Sequence, residues 1–297
     1  MKILLLGSAG QVGWELQRSL SPLGQVIALD RRSTDFCGDL SNLNGIADTV
    51  RAVSPDVIVN AAAYTAVDKA ESDAATAHTV NAEAPGVLAA AAQSVAALLV
   101  HYSTDYVFDG SGELPWSETD PTGPLGVYGR TKLEGERRIA GSGADHLILR
   151  TSWVYAARGG NFAKTMLRLA GERERLSVVN DQFGAPTGAD LLADVTAHMV
   201  RSVRGGSGQS GGVYHVAAAG VTSWHGYARF VVAQAEKAGL VLKASPDTVD
   251  PVPSSAFPTP AVRPHNSRLC TDKLGTYFGL QLPAWQVGVA RMLTEIT

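Results

Sequence analysis

The chain has 297 residues, with 25 Lys and Arg against 28 Asp and Glu for a formal charge of −3. That length can bury a substantial core, as one large domain or as an α/β domain with a smaller partner. No run of Lys or Arg exceeds two residues, so there is no electrostatic footprint for nucleic acid. Cys37 and Cys270 are the two cysteines, too few for a disulfide framework or a zinc site, and they fit a reducing cytoplasm.

The first apolar run, K2-I-L-L-L-G7, is too short for a signal peptide or a membrane span and reads as a buried strand. Similar runs follow at Q25-V-I-A-L-D30, D56-V-I-V-N60, A97-L-L-V-H101 and H146-L-I-L-R150, with helical patterns at 11–20, 43–52 and 75–94 between them. Strands alternating with helices imply parallel pairing through crossover helices, hence an α/β, doubly wound, Rossmann-type sheet. Beyond Tyr155 the pattern loosens. L176-S-V-V-N180 and V213-Y-H-V-A217 still read as strands, and G205-G-S-G-Q-S-G-G212 reads as a flexible surface loop. Prolines recur over 244–264, which predicts irregular chain on a smaller second lobe, and 283–296 predicts a closing helix.

The stretch G7-S-A-G10-Q-V-G13 joins the first strand to the first helix. Glycines there allow a tight turn and close approach of a pyrophosphate to backbone N–H groups, with Gln11 and Val12 in the same turn. Asp30 ends the second strand, where a carboxylate bonds the adenosine ribose, and Arg31 and Arg32 follow it. Asp30 favours the free ribose hydroxyls of NADH, whereas a neighbouring guanidinium can grip the 2′-phosphate of NADPH. Asp39 and Leu40 are placed to flank an adenine. Small residues at 61–63, followed by Tyr64 and Thr65, let the chain pass close to a cofactor, and H101-Y-S-T104 brings Tyr102 and Thr104 to the ligand side of the sheet.

Tyr128 and Lys132 stand four apart in V127-Y-G-R-T-K-L-E-G-E136, one turn apart on one helical face. By itself the spacing also suits a surface Tyr and a solvated Lys. Beside a dinucleotide, Thr104, Tyr128 and Lys132 are equipment for hydride transfer to or from a carbonyl: a phenol to move the proton, a cation to tune it and to hold the nicotinamide ribose, and a hydroxyl to bind the carbonyl oxygen.

G-x-x-G-x-x-G, S-T-D and Y-x-x-x-K in that order resemble the extended short-chain dehydrogenase/reductase family. N60-A-A-A-Y-T-A-V-D-K-A-E71, R150-T-S-W-V-Y155, N180-D-Q-F-G-A-P-T187 and R263-P-H-N-S-R268 extend the similarity over essentially the whole chain, to its nucleotide-sugar reductases. The resemblance implies reduction of the 4-keto group of dTDP-4-dehydro-β-L-rhamnose by NADPH or NADH, the last step of dTDP-L-rhamnose synthesis. It implies a mainly cofactor-binding region at 1–155 and a mainly sugar-nucleotide-binding lobe at 156–297, with segments returning to the first. It places Asp105, Tyr106 and Trp153 near the sugar and the segment around Arg263 near the diphosphate or the dTDP end; as residues, Arg263 and Arg268 suit either phosphate binding or a structural role. It further implies a homodimer with magnesium between subunits at Glu15, Asp190 and Glu295, although Asp190 stands where the family has glutamate.

Other enzymes and proteins share this scaffold. Dehydratases carry Asp-Glu after the Thr, and here Asp105 is followed by Tyr106, so the base for dehydration is missing. An epimerase, or a non-catalytic subunit like the regulatory subunit of methionine adenosyltransferase, remains an alternative on the dinucleotide fold.

Overall fold

The structure, a computed structural model, describes residues 1–206 and 211–296. Four residues of the expected glycine-rich loop, 207–210, lie outside that range.

Strands β1 (Lys2–Leu6), β2 (Gln25–Leu29), β3 (Val57–Asn60), β4 (Leu98–Thr104) and β5 (His146–Thr151) are joined by Gly212–His215, all parallel, in the order β2-β1-β3-β4-β5 and then Gly212–His215. The sixth strand comes from the second half of the sequence, so V213-Y-H-V completes the main sheet and not the smaller lobe. Register aligns Leu6 with Leu29 and Asn60, Asn60 with His101, and Thr104 with Thr151, which brings the carboxyl ends of five strands to one edge. Strand order reverses between β1 and β3, so the ligand crevice of a doubly wound sheet opens there.

Two-residue alternation divides the side chains between two cores. Ile3, Leu5, Val57, Val59, Leu98 and Val100 pack with Leu16 and Leu20 of helix α1 (Gln11–Leu20) and with the Ala189–Arg204 helix. Leu4, Leu6, Ile58, Leu99 and Ile148 point the other way, onto helix α2 (Leu43–Val53) and the Ala84–Ser94 and Val127–Ala140 helices. The helical pattern predicted over 75–94 is interrupted: an α-helical turn at Ala74–His78 passes through a π-helical stretch at Thr79–Glu83 before α-helix resumes. The wider turn carries Asn81, whose amide accepts from Tyr64 N at 2.9 Å and donates to Tyr64 O at 3.0 Å, fixing the loop after β3.

A third core gathers Tyr155, Met166, Tyr227, Val231, Trp285 and Val289 under the helices Phe162–Glu172, Trp224–Lys237 and Trp285–Ile296. Beside it Leu176–Val179 pairs in parallel with Val249–Val252. The proline-rich 244–264 segment is mostly irregular, as its composition predicts, apart from that strand and two single 3-10 turns. Among the described residues no helix is long and apolar enough to cross a membrane.

Candidate active site

The turn after β1 is built by glycine at two places. Gly7 has φ +86°, and a Cβ there would stand 2.7 Å from Ala62 N; a Cβ on Gly13 would lie 2.0 Å from Gly7 O. These two serve close packing of strand, turn and helix. Gly10 is different: it is exposed, and a Cβ on it would meet only Gly7 O, at 3.3 Å. Packing does not demand glycine here, while an open backbone does. Gly10 caps α1 without a side-chain hydrogen bond, so no side chain of the cap competes for the first-turn donors of Gln11, Val12 and Gly13. The turn therefore fits a dinucleotide pyrophosphate. At the next strand end Asp30 Oδ1 accepts from Arg32 N at 2.7 Å, and Arg31 and Arg32 are exposed. Asp39 bonds Ser41 N and Oγ, and Leu40 is buried in the core. Ala63, Tyr64 and Thr65 follow β3 along the same edge, and Tyr64 OH reaches Asp73 at 3.0 Å.

The four-residue spacing brings Tyr128 and Lys132 onto the sheet-facing side of the Val127–Ala140 helix, where Gly129 allows the backbone of Tyr106 to approach. Burial raises the Tyr128 pKa above the ordinary phenol range; Thr104, a hydrogen-bonding neighbour, acts against this, and Asp105 and Tyr106 add to it. The phenol is thus held protonated. Thr104 Oγ1 also donates to Asp105 Oδ1 at 3.1 Å and accepts from Tyr106 N at 3.2 Å. Asp105 is buried with Oδ2 unpartnered, and burial pushes its pKa to about 6 despite hydrogen bonds from Ser267 and Thr104.

Lys132 is placed differently from the sequence expectation. Its Nζ is buried and committed to Tyr102 O at 2.6 Å and His101 Nε2 at 3.2 Å, and the neighbours acting on the phenol are Thr104, Asp105 and Tyr106. Tyr102 itself offers only backbone to this side. Strand alternation sends its ring to the opposite face, where its hydroxyl pairs with Thr196 at 2.6 Å.

In front of this cluster lies a cavity of about 500 Å³ whose lining includes Tyr106, Trp153, Phe162, Trp224, Gln182 and Arg263. Thr104, Asp105 and Tyr128 sit behind Tyr106, whose ring meets that of Tyr128 edge-on at 5.5 Å. Trp153 has φ +49°, a strained conformation for a bulky residue. Its indole is held by stacking on Trp224 at 3.7 Å, and Gly184 leaves room for it: a Cβ there would stand 2.9 Å from the ring. Arg263 enters the cavity with Nη2 on Asp68 at 2.6 Å and Nη1 on Tyr106 OH at 3.4 Å. Arg268 instead stacks on Phe183 and bonds Asn266, which is the structural role. Sequence reasoning did not single out Trp224, Gln182, Asp68 or His101. Asp68, His101 and Gln182 lay inside stretches that carried the family resemblance; Trp224 did not.

Glu15, Asp190 and Glu295 do come together around a small cavity of about 30 Å³, but Arg291 shares it, 3.6 Å from Asp190 and 3.4 Å from Glu295. Among the described residues no group of three His, Cys, Asp or Glu is placed to hold a metal ion. A single chain therefore does not build the expected magnesium site, because a guanidinium already pairs with two of its three carboxylates.

A family profile described as RmlD substrate binding domain matches residues 1–297. A dTDP-4-dehydrorhamnose reductase of Shigella flexneri is 59% identical over 296 residues, covering 100% of this chain and 98% of its own length. The chain belongs to the RmlD family of dTDP-4-dehydrorhamnose reductases. Among solved structures, the Clostridium acetobutylicum member superimposes with a TM-score of 0.90 at 34% identity, covering 100% of this chain and 99% of the other. The Bacillus anthracis member, solved in complex with NADP, gives 0.86 at 33%, with 99% of each chain covered.

Proposed function

We propose that this chain reduces the 4-keto group of dTDP-4-dehydro-β-L-rhamnose to give dTDP-β-L-rhamnose, the last step of dTDP-L-rhamnose synthesis. The observation that carries the reading is the cluster of buried Thr104 and Asp105 with half-buried Tyr128 at a strand end, behind a 500 Å³ cavity, in a chain so similar to reductases of that name. When bound, NADPH or NADH supplies the hydride that reduces the keto carbon. The chain supplies the rest.

Gly7, Gly10, Gln11, Val12 and Gly13 hold the pyrophosphate; Asp30 and Arg31 select the adenosine ribose; Asp39 and Leu40 flank the adenine; Ala63, Tyr64 and Thr65 wall the crevice. Tyr128, a protonated phenol, gives its proton to the developing alkoxide, and Thr104 turns its one hydroxyl hydrogen from Asp105 Oδ1 to the same oxygen as its charge grows. Lys132, steadied by the Tyr102 carbonyl, offers its remaining hydrogens to the nicotinamide ribose. Asp105, Tyr106 and Trp153 receive the sugar, where a sugar hydroxyl supplies the partner that Asp105 Oδ2 lacks. Arg263 meets the diphosphate. On this reading residues 1–155 mainly serve the cofactor and 156–297 mainly the sugar nucleotide, in a cytoplasmic homodimer, and any magnesium is held between subunits.

Deuterium placed on the transferring carbon of NADPH tests the chemistry. The reading requires the label at C4 of the product sugar; label elsewhere, or none in the sugar, overturns it.

A further inference from the structure

The helix that carries Tyr128 begins without a cap of its own. Gly126 stands at its N-cap and brings no side-chain acceptor to the first turn, which starts at Val127. The first N–H groups of a helix have no partner within it, and the end frays unless something else accepts from them. Tyr128 is the second residue of that turn. The place of its phenol therefore depends on what holds the turn.

A side chain from elsewhere in the fold holds it. Glu71 Oε1 accepts from Val127 N at 2.8 Å. The contact needs glycine at the cap, because a Cβ on Gly126 would stand 2.7 Å from Glu71 Oε1. The turn is tied a second time at Tyr128 itself: Thr131 Oγ1 donates to Tyr128 O at 3.0 Å, and Asn81 Nδ2 donates to Thr131 Oγ1 at 3.3 Å. Glu71 and Asn81 thus grip the backbone around Tyr128 from two different elements.

Glu71 has a fixed footing. It follows the short helix Val67–Ala70, just past the 61–65 wall of the crevice, and Ala70 beside it is fully buried. Asp68, three residues earlier, lies on the same side of that turn. Its carboxylate accepts from Arg263 Nη2 at 2.6 Å and from Ala261 N at 3.3 Å, and both residues line the 500 Å³ cavity. One turn of chain therefore touches the cavity wall through Asp68 and the start of the catalytic helix through Glu71.

We propose that Glu71 is a positioning residue for the reduction: by accepting from Val127 N it sets where the helix starts and holds the Tyr128 hydroxyl beside Thr104. A proton donor must stand within about 3 Å of the atom it serves. A misplacement of about 1 Å is enough to cost about a hundredfold in rate. The inference rests on Tyr128 being the proton donor of the proposed reaction.

Glu71→Ala removes the acceptor, and Glu71→Gln keeps a carbonyl oxygen of the same reach without the charge. In single-turnover reduction, Glu71→Ala should lower the rate by about tenfold to a hundredfold, with Kd for NADPH and for the sugar nucleotide within about twofold of the parent. Glu71→Gln should return to within about threefold of the parent rate. A cap that serves stability alone would lower Tm and leave the rate of the folded protein unchanged. That result, or a Gln variant no faster than the Ala variant, overturns the proposal. Gly126→Ala approaches the same contact from the other side, since its methyl displaces the Glu71 oxygen from Val127 N. Its rate should fall as in Glu71→Ala, and the two changes together should cost no more than one of them. Additive losses overturn the proposal, and Gly126→Ala decides it if Glu71→Ala does not fold. Amide exchange over 125–131, measured without substrate, reads the cap directly. Val127 should exchange faster in Glu71→Ala and in Gly126→Ala and as in the parent in Glu71→Gln; unchanged exchange in the first two overturns the proposal. Because exchange needs no turnover, failure of the cap and failure of the proposed activity are told apart.

Discussion

Asp105→Asn should make the protein more stable at neutral pH while harming its chemistry. The carboxyl is buried, one oxygen has no partner, and burial raises its pKa from 3.8 to about 6. A folded-state value above the unfolded one means that the native chain binds the extra proton, so this group's contribution to stability is full below about pH 4 and is lost as pH rises through about 6. Two units at about 1.4 kcal/mol each make that loss about 3 kcal/mol. Asparagine cannot ionise, and its oxygen can still accept from Thr104 at the position of Oδ1. Its NH₂ takes the place of the unpartnered Oδ2, which returns about 1 kcal/mol or more of the gain. A net stabilisation of about 1–2 kcal/mol at pH 7.5 is expected. Urea unfolding of parent and variant at pH 5 and pH 7.5 measures it, and the gap between the two should widen with pH. Equal stability at pH 7.5, or a gap independent of pH, would refute the account of Asp105 as a carboxylate kept buried for a ligand.

Tyr128→Phe should fold as the parent does and lose turnover by roughly a hundredfold to ten-thousandfold, read in single-turnover kinetics; retention of more than about half the parent rate removes Tyr128 as the proton donor. Thr104→Val deletes one hydroxyl and should lower turnover by about tenfold to a thousandfold with little change in cofactor affinity. An equal loss of cofactor affinity, measured by fluorescence titration, would move Thr104 to cofactor positioning. The parent should accept NADPH and NADH with discrimination of no more than about tenfold. Replacing exposed Arg31 and Arg32 together by alanine should selectively reduce kcat/KM for NADPH; equal use of both cofactors as in the parent would exclude these arginines from the choice.

Much of the fold is legible because the signals are local. Apolar runs bounded by glycine or polar residues give β1 to β5, and the Gly7–Gly13 turn and the Tyr128–Lys132 spacing are read within single elements. Three things resist such reading. Gly212–His215 looks like any short strand, and only tertiary pairing with β5 assigns it to the main sheet. The π-helical stretch at Thr79–Glu83 has no pattern of its own in an alanine-rich segment. Trp224 opens the Trp224–Lys237 helix, far from Trp153 in sequence, and nothing in its neighbouring residues announces that it stacks on Trp153. Tyr102 shows the opposite lesson. Its motif points to the cofactor, yet two-residue alternation along β4 already places its ring on the face of Val100, away from Lys132. His101, on the other face, pairs with Asn60 only because residues 41 apart in sequence fall into register on neighbouring strands, so the pair beside Lys132 is invisible to motif reading.

The central claim is most directly tested by incubating the purified chain with dTDP-4-dehydro-β-L-rhamnose and NADPH, following nicotinamide absorbance and identifying the sugar by NMR, with Tyr128→Phe in parallel. The account predicts one dTDP-β-L-rhamnose formed for each NADPH consumed by the parent, and a rate lower by at least about a hundredfold in the variant. Cofactor binding with no loss of nicotinamide absorbance, or a sugar product formed without NADPH consumption, would contradict it.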